Sequence, residues 1–386
     1  MNASPPRPQP PTARIPAQVH CAQDYESLAA QHLPPGHHAY VAGGCGDDRT
    51  VAANRAAFDD WAVWPRVLAA VAHGHTRTTL GAAAFAHPFL LAPVAHQQLA
   101  HPRAELETAR AAEATHSGLV LSTLSSRTLE EVAALAGPRR WFQLYLQPQP
   151  GATQALLRRA EDAGYEAIVV TLDGALQTAS RRALRAGFSL PADCVAANLR
   201  GSTVAPPAAL AEGDSRIFQG AMRQAPDGAA LDAVLGATRL PVWAKGVLHP
   251  DDACALKARG VAGIVVSNHG GRSLDDAPAS LRALPAVRAA VGPEFALMLD
   301  GGIRSGSDAF KALALGADAV LVGRLQMYAL AVAGALGVAH MLRLLREELE
   351  ICMALAGCAT LDAIGPHCLL PAAAPGHHLP AQRSPC

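Results

Sequence analysis

The chain has 386 residues, 50% of them hydrophobic and 17% charged, and 32 Lys+Arg balance 32 Asp+Glu at a pI near 7.3. At ~150 residues per domain this length suits two or three domains or one extended α/β barrel, and the apolar content excludes a disordered tether. The zero formal net charge removes the field that would draw the chain to nucleic acid or to an anionic membrane.

Residues 1–19 are Pro-rich and hold no apolar stretch of the roughly 7–15 residues a signal peptide requires. They and residues 371–386 read as solvated tails on a single domain over 20–370. Cysteines at 21, 45, 194, 254, 352, 358, 368 and 386 form no C-x-x-C pair, which suits free thiols in the cytoplasm and offers no metal framework. The most apolar long segment, 327–342, is built from Ala and Gly and carries His340, so no membrane span is expected there.

After a helical entry region over 22–60, short apolar runs recur at 88–95, 118–123, 141–146, 167–173, 241–246, 263–268, 295–300 and 319–324. Each is short and β-branched enough to be a strand buried on both faces. Helical signals separate them. In 249–260, Pro250 suits a first turn, Asp251 and Asp252 favour the positive end of a helix dipole, and Gly260 stops the helix. In 305–318, Phe310, Leu313 and Ala314 share one face and Gly316 ends it. Eight strands alternating with helices predict a (β/α)8 TIM barrel, with an open doubly wound sheet as the competing architecture. From Asp173 to Val242 the spacing is far too long for one crossover, so residues 180–228 are expected to form a long loop over the barrel mouth.

A TIM barrel places its chemistry at the C-terminal ends of its strands. The polar residues there are Ser122 and Thr123, Gln143 and Tyr145, Thr171 and Asp173, Lys245, His269, Asp300, and Arg324 beside Gly323. In SNHGGRSLDD (267–276) a strand delivers His269 to the rim, two glycines allow a tight turn, and Arg272 adds a two-pronged donor. The plainer reading is a capping histidine with a surface arginine. Glycine-rich turns at 299–308 and 321–324 stand where barrels bind phosphate, with Arg304 and Arg324 as the cations. They point to a phosphate-bearing cofactor.

Several segments together, SNHGGRSLD, LDGGIRSGSDAFKALALGADAVLVGR, WAKGVLHPDDA, WFQLYLQ, LAPVAHQQLAHPRAELETARAA and YVAGGCGDDRTVAANRAAF, resemble the FMN-dependent 2-hydroxy acid oxidases and dehydrogenases over residues 22–365. The resemblance implies a non-covalently bound FMN. It makes His269 the active-site base, Asp173 the carboxylate that stabilises its protonated form, and Tyr145 the tyrosine near the substrate hydroxyl. Arg272 and Tyr40 would hold the substrate carboxylate, and Lys245 would face the N1/O2 edge of the flavin. It further implies flavin contacts from Ala95, Ser122, Gln143, Thr171 and Ser267, a ribityl contact from Asp300, and a phosphate site at Gly302, Arg304, Gly323 and Arg324.

The implied activity is oxidation of an L-2-hydroxy acid to the 2-oxo acid, with electrons passing to O2 or to a quinone-type acceptor, in a homo-oligomer, a tetramer as in the family. The α-hydrogen leaves as hydride or as a proton; the residues do not separate the two. No haem domain is expected. Two features depart from the pattern. Relatives carry a Gly-Arg-Arg stretch after Asp173 whose second arginine grips the substrate, whereas GALQTASRR places Ser180 there with Arg181 next to it; either Arg272 and Tyr40 act alone or Arg181 substitutes. Leu124 stands in place of a tryptophan found in glycolate-oxidising relatives, which predicts space for larger acids. The competing readings are another FMN barrel of the type 2 isopentenyl diphosphate isomerase kind, whose site has no evident need for His269 beside Arg272, and a catalytically altered flavin-binding scaffold.

Overall fold

A computed structural model describes residues 8–149, 151–201 and 210–372. Eight parallel strands close a barrel: β1 (Phe89–Leu91), β2 (Gly118–Ser122), β3 (Arg140–Leu144), β4 (Ile168–Thr171), β5 (Val242–Val247), β6 (Gly263–Val266), β7 (Leu297–Leu299) and β8 (Ala319–Val322), with β8 paired to β1. The open doubly wound sheet is thereby excluded. A helix lies between each successive pair of strands, from Glu105–Thr115 to Gly306–Ala314.

Side chains alternate along each strand and so sort into two sets. Phe89, Leu91, Leu121, Phe142, Val170 and Ile264 point outward into the layer shared with the helices. Leu90, Val120, Trp141, Val169, Trp243 and Met298 point inward and fill the lower barrel. Below them an antiparallel hairpin, Thr78–Leu80 with Ala83–Phe85, plugs the base, and Phe85 packs edge-on against Trp141.

Three expectations need correction at the chain ends and in the long connection. Residues 9–12 lie at the surface but are not free: Gln9 N–H donates to Gln31 O, and Thr12 N–H to Val332 O at 2.7 Å. At the other end Leu369–Pro371 pairs with Trp61–Val63, so position 371 belongs to the fold, while 373–386 lies outside the described residues. The connection over 180–228 is no plain loop, because it carries a short helix at Arg181–Arg185 capped by Ser180 and further helical turns at 197–199 and 216–224. The last helix, Arg324–Ala356, is long and apolar enough to cross a membrane, but 67% of its most apolar window is buried inside the protein and its backbone breaks at Ala333 and Gly334.

Candidate active site

The inward positions that are apolar at the base become polar at the mouth, two residues further along the same strands. Trp141 is followed by Gln143, Val169 by Thr171, Trp243 by Lys245, Val265 by Ser267 and Met298 by Asp300. All of these but Ser267 open into one cavity, completed by loops after the strands and by Tyr40 and Val41 from the entry region.

His269 is held in a left-handed backbone conformation, φ 58°. Its Nδ1 lies 2.9 Å from Asp173 Oδ1, and its Nε2 faces the Tyr145 hydroxyl at 3.4 Å. Burial pushes the Asp173 carboxyl up, but the His269 hydrogen bond and the nearby Lys245 charge outweigh it, so the group sits below its ordinary range. Burial also pushes Tyr145 up to about 12, which keeps its hydroxyl protonated. Gly246, at φ 96°, follows Lys245 where the β5 to β6 register shifts.

Lys245 is buried, 3.0 Å from Asp300 Oδ2, and donates to Ser267 Oγ at 2.8 Å. Desolvation opposes its charge, yet Asp300 and Asp173 prevail and hold the ammonium above its ordinary value. Ser267 Oγ also accepts the His269 N–H at 3.0 Å, so one hydroxyl couples the lysine to the histidine. Gln143 joins its neighbours: its Oε1 accepts from Ser122 Oγ at 3.2 Å and its Nε2 donates to Thr171 Oγ1 at 3.0 Å.

Arg272 donates through Nη1 to Tyr40 O and Gly43 O, both at 2.9 Å, and its guanidinium lies 4.6 Å from the Tyr40 ring centroid. Phe188 stacks on this tyrosine, 4.4 Å between centroids. The turn before Arg272 admits little else, since a Cβ on Gly271, at φ 77°, would lie 2.8 Å from Val51 N.

At the glycine-rich turns Arg324 donates to Gly270 O, Gly43 O and Val41 O but has no carboxylate partner among the described residues. Burial, then the charges of Arg272 and Arg304, push it down to about 10. Such a crowd of cations fits an anion. Gly302, at φ 92°, brings backbone to the cavity wall where a Cβ would lie 2.5 Å from Asn54 O, and Gly323 opens beside Ala92. Arg304 lines the cavity but pairs with Glu26 at 2.9 Å. The N-terminus of helix Gly306–Ala314 is capped internally, because Asp308 accepts the Arg304 and Ser305 N–H groups and Glu348 accepts that of Gly306. An anion held here would meet the glycine turns and Arg324, without that helix end.

Every residue expected at the cofactor and substrate lines the cavity except three. Asp173 and Ser267 stand behind His269 and Lys245. Arg181 is the correction: it points outward, 57% exposed, and pairs with Asp47, while its neighbour Arg182 takes Asp48 at 2.6 Å. Gln177 occupies the cavity wall instead. Sequence reasoning missed a buried Asn54–Asn268 pair, exchanging hydrogen bonds at 2.9 and 2.8 Å, that ties the entry helix to the His269 loop. It also missed Met327, Ile303 and His96 in the lining.

Residues 29–371 match the model of the family described as FMN-dependent dehydrogenase. An L-lactate oxidase of Alicycliphilus denitrificans is 66% identical over 361 residues, covering 94% of this chain and 99% of that protein. A 4-hydroxymandelate oxidase of Amycolatopsis orientalis is 43% identical over 345 residues, 88% of this chain and 95% of that one. Among solved structures, mandelate oxidase with (S)-2-phenylpropionate superposes with a TM-score of 0.81 at 41% identity, covering 91% of this chain and 98% of that one. A buried lysine, glycine turns and an arginine without a carboxylate partner are compatible with an isoalloxazine and its phosphate, and the family match makes the chain a member of the FMN-dependent dehydrogenase family, an FMN-dependent oxidoreductase on a (β/α)8 barrel.

Proposed function

We infer that the protein oxidises an L-2-hydroxy acid to the corresponding 2-oxo acid and passes the electrons to O2, with L-lactate the first substrate to test. The relatives' names support the substrate class and the acceptor. The observation that carries the reading is the Tyr145–His269–Asp173 chain standing beside Arg272 in one cavity.

Bound FMN would supply the acceptor for the substrate's α-hydrogen and its two bonding electrons. Lys245 would face its N1/O2 edge, Ser122, Gln143, Thr171 and the backbone at Ala95 its ring, Asp300 its ribityl chain, and Gly302, Gly323, Arg304 and Arg324 its phosphate. The chain's own residues do the rest. The free donors of Arg272 grip the substrate carboxylate, with Tyr40 fixing the plane of the guanidinium. His269 Nε2 takes the hydroxyl proton, because Nδ1 is engaged by Asp173, whose negative charge stabilises the imidazolium that forms. Tyr145, protonated at all working pH values, donates to the substrate oxygen. With Ser180 and Arg181 outside the site, the carboxylate is held by one arginine.

The reading also carries a cytoplasmic location, a homo-oligomeric assembly of four chains and no membrane span. Seven free cysteines among the described residues support the first, and burial of the helix Arg324–Ala356 the last. Light scattering on the purified protein tests the assembly.

The function itself is tested by adding L-lactate, glycolate and mandelate to the yellow protein without air. Bleaching by at least one acid, followed by recovery of colour on admitting O2, is the expected result. A flavin that stays oxidised with every acid overturns the reading, and recovery only with a quinone overturns the acceptor. Release of FAD instead of FMN on denaturation would overturn the cofactor.

A further inference from the structure

The loop after β1 places His96 next to Ala95, and His96 lines the same cavity as Leu124 and Gln177. The residue adopts φ 54° and ψ 47°, the left-handed region, uncommon for a side chain with a Cβ although histidine enters it more readily than most. Hydrogen bonds hold it there. His96 N–H donates to Leu124 O at 3.1 Å, and the buried Glu105 accepts, on one oxygen, the N–H groups of Gln97 at 3.1 Å and Ser126 at 2.9 Å. A single carboxylate thus ties the loop carrying His96 to the loop carrying Leu124. Backbone held in such a conformation by its surroundings gathers at functional sites.

The ring so positioned has nothing to bond. Its Nδ1 is buried without a partner, and neither ring nitrogen makes a hydrogen bond to any described residue. Burial pushes the imidazole down, which keeps it neutral, with one donor and one acceptor. With Nδ1 buried, one ring nitrogen, Nε2, is left to meet a ligand, as donor or acceptor according to the tautomer, and a hydroxyl group, which both donates and accepts, answers either role where an anion answers only the first. Around the ring of strands β7 and β8 separate β1 from β6, so His96 and Arg272 approach the cavity from different sides, as contacts to the two ends of one substrate would.

We propose that His96 is a specificity-determining residue, hydrogen-bonding the far end of the substrate side chain and selecting 2-hydroxy acids that end in a hydroxyl group, with Leu124 leaving the room and Glu105 acting as the positioning residue. This rests on the 2-hydroxy acid reading above. The test compares size-matched acids, 4-hydroxymandelate and mandelate, as a ratio of kcat/KM in the parent, in His96→Phe and in His96→Asn. Asparagine tolerates the left-handed backbone but is too short to reach, so it keeps the test alive if the phenylalanine variant fails to fold.

The parent is expected to favour the hydroxylated acid ~3–10-fold, the worth of one neutral hydrogen bond, and both variants to bring the ratio to about one. Calorimetric binding of the unreactive pair 4-hydroxyphenylacetate and phenylacetate should follow the same pattern without turnover. A ratio near one in the parent, or an unchanged ratio in a variant that folds and keeps its FMN, overturns the role of His96. If neither mandelate nor lactate reduces the flavin at all, it is the proposed function that has failed.

Discussion

The base and the mouth of this barrel are built by the same strands and differ only by a step of two residues. At the base Trp141 and Trp243 pack with ring centroids 5.0 Å apart and Phe85 closes on Trp141 from the hairpin; at the mouth the next inward positions are Gln143 and Lys245. The base is held by burial alone. The mouth buries Lys245 and Asp300 and half-buries Asp173 and His269, and these four are paired, Lys245 with Asp300 and Asp173 with His269, while Arg324 keeps only carbonyl partners among the described residues. Buried ion pairs seldom add stability over apolar packing, so such an arrangement is kept for what it does. Folding free energy is concentrated at one end, chemistry at the other.

Substitutions at the two ends should separate accordingly. The largest effect is expected at the base, where Trp243→Ala removes a fully enclosed ring and should cost ~3–5 kcal/mol of stability, read from urea unfolding. A loss under ~1 kcal/mol would show that the hairpin, not the aromatic pair, secures the barrel floor. At the mouth, Arg272→Lys keeps the charge but loses the planar fork and the stacking on Tyr40, and should raise the KM for L-lactate ~10–100-fold with little change in melting temperature. An equally good uncharged alcohol substrate would contradict the carboxylate role.

Leu124→Trp should shift kcat/KM toward glycolate and away from mandelate by about tenfold, since it fills space beside the side chain of the substrate. If the preference does not move, Leu124 does not set the pocket. The smallest effect concerns pH. The carboxyl of Asp173 is depressed in the folded chain, so its stabilisation is fully present above the ordinary aspartate range and is lost as pH falls through the folded value. The stability gap between parent and Asp173→Asn should therefore be widest near neutrality and close in acid; a gap that widens on acidification would mean that Asp173 is carried protonated.

The alternation that divides base from mouth is legible in the sequence, because runs such as WFQLYL and PVWAKG carry large apolar residues and then polar ones at every second position. Lys245, Thr171 and Asp300 could be assigned to the strand ends for that reason. What could not be read is whatever depends on distant parts of the chain meeting. Arg181 looks available for a carboxylate until Asp47, more than a hundred residues earlier, is found beside it. The Asn54–Asn268 pair and the docking of residues 9–12 are of the same kind. His96 left a local signal, an imidazole one residue past Ala95, but its place in the lining depends on a left-handed backbone tied to the distant Leu124, and no periodicity reports that.

The central claim, that the paired charges at the mouth exist to let His269 take the substrate's proton, is tested most directly by stopped-flow reduction of the flavin by L-lactate without air in the parent and in His269→Gln. Glutamine preserves the size of the side chain, so FMN should remain bound, and the melting temperature should change little. The account predicts a reduction rate ~10²–10⁴-fold slower in the variant, the range for loss of a positioned general base. A variant that keeps its FMN and is reduced at the parent rate would contradict it.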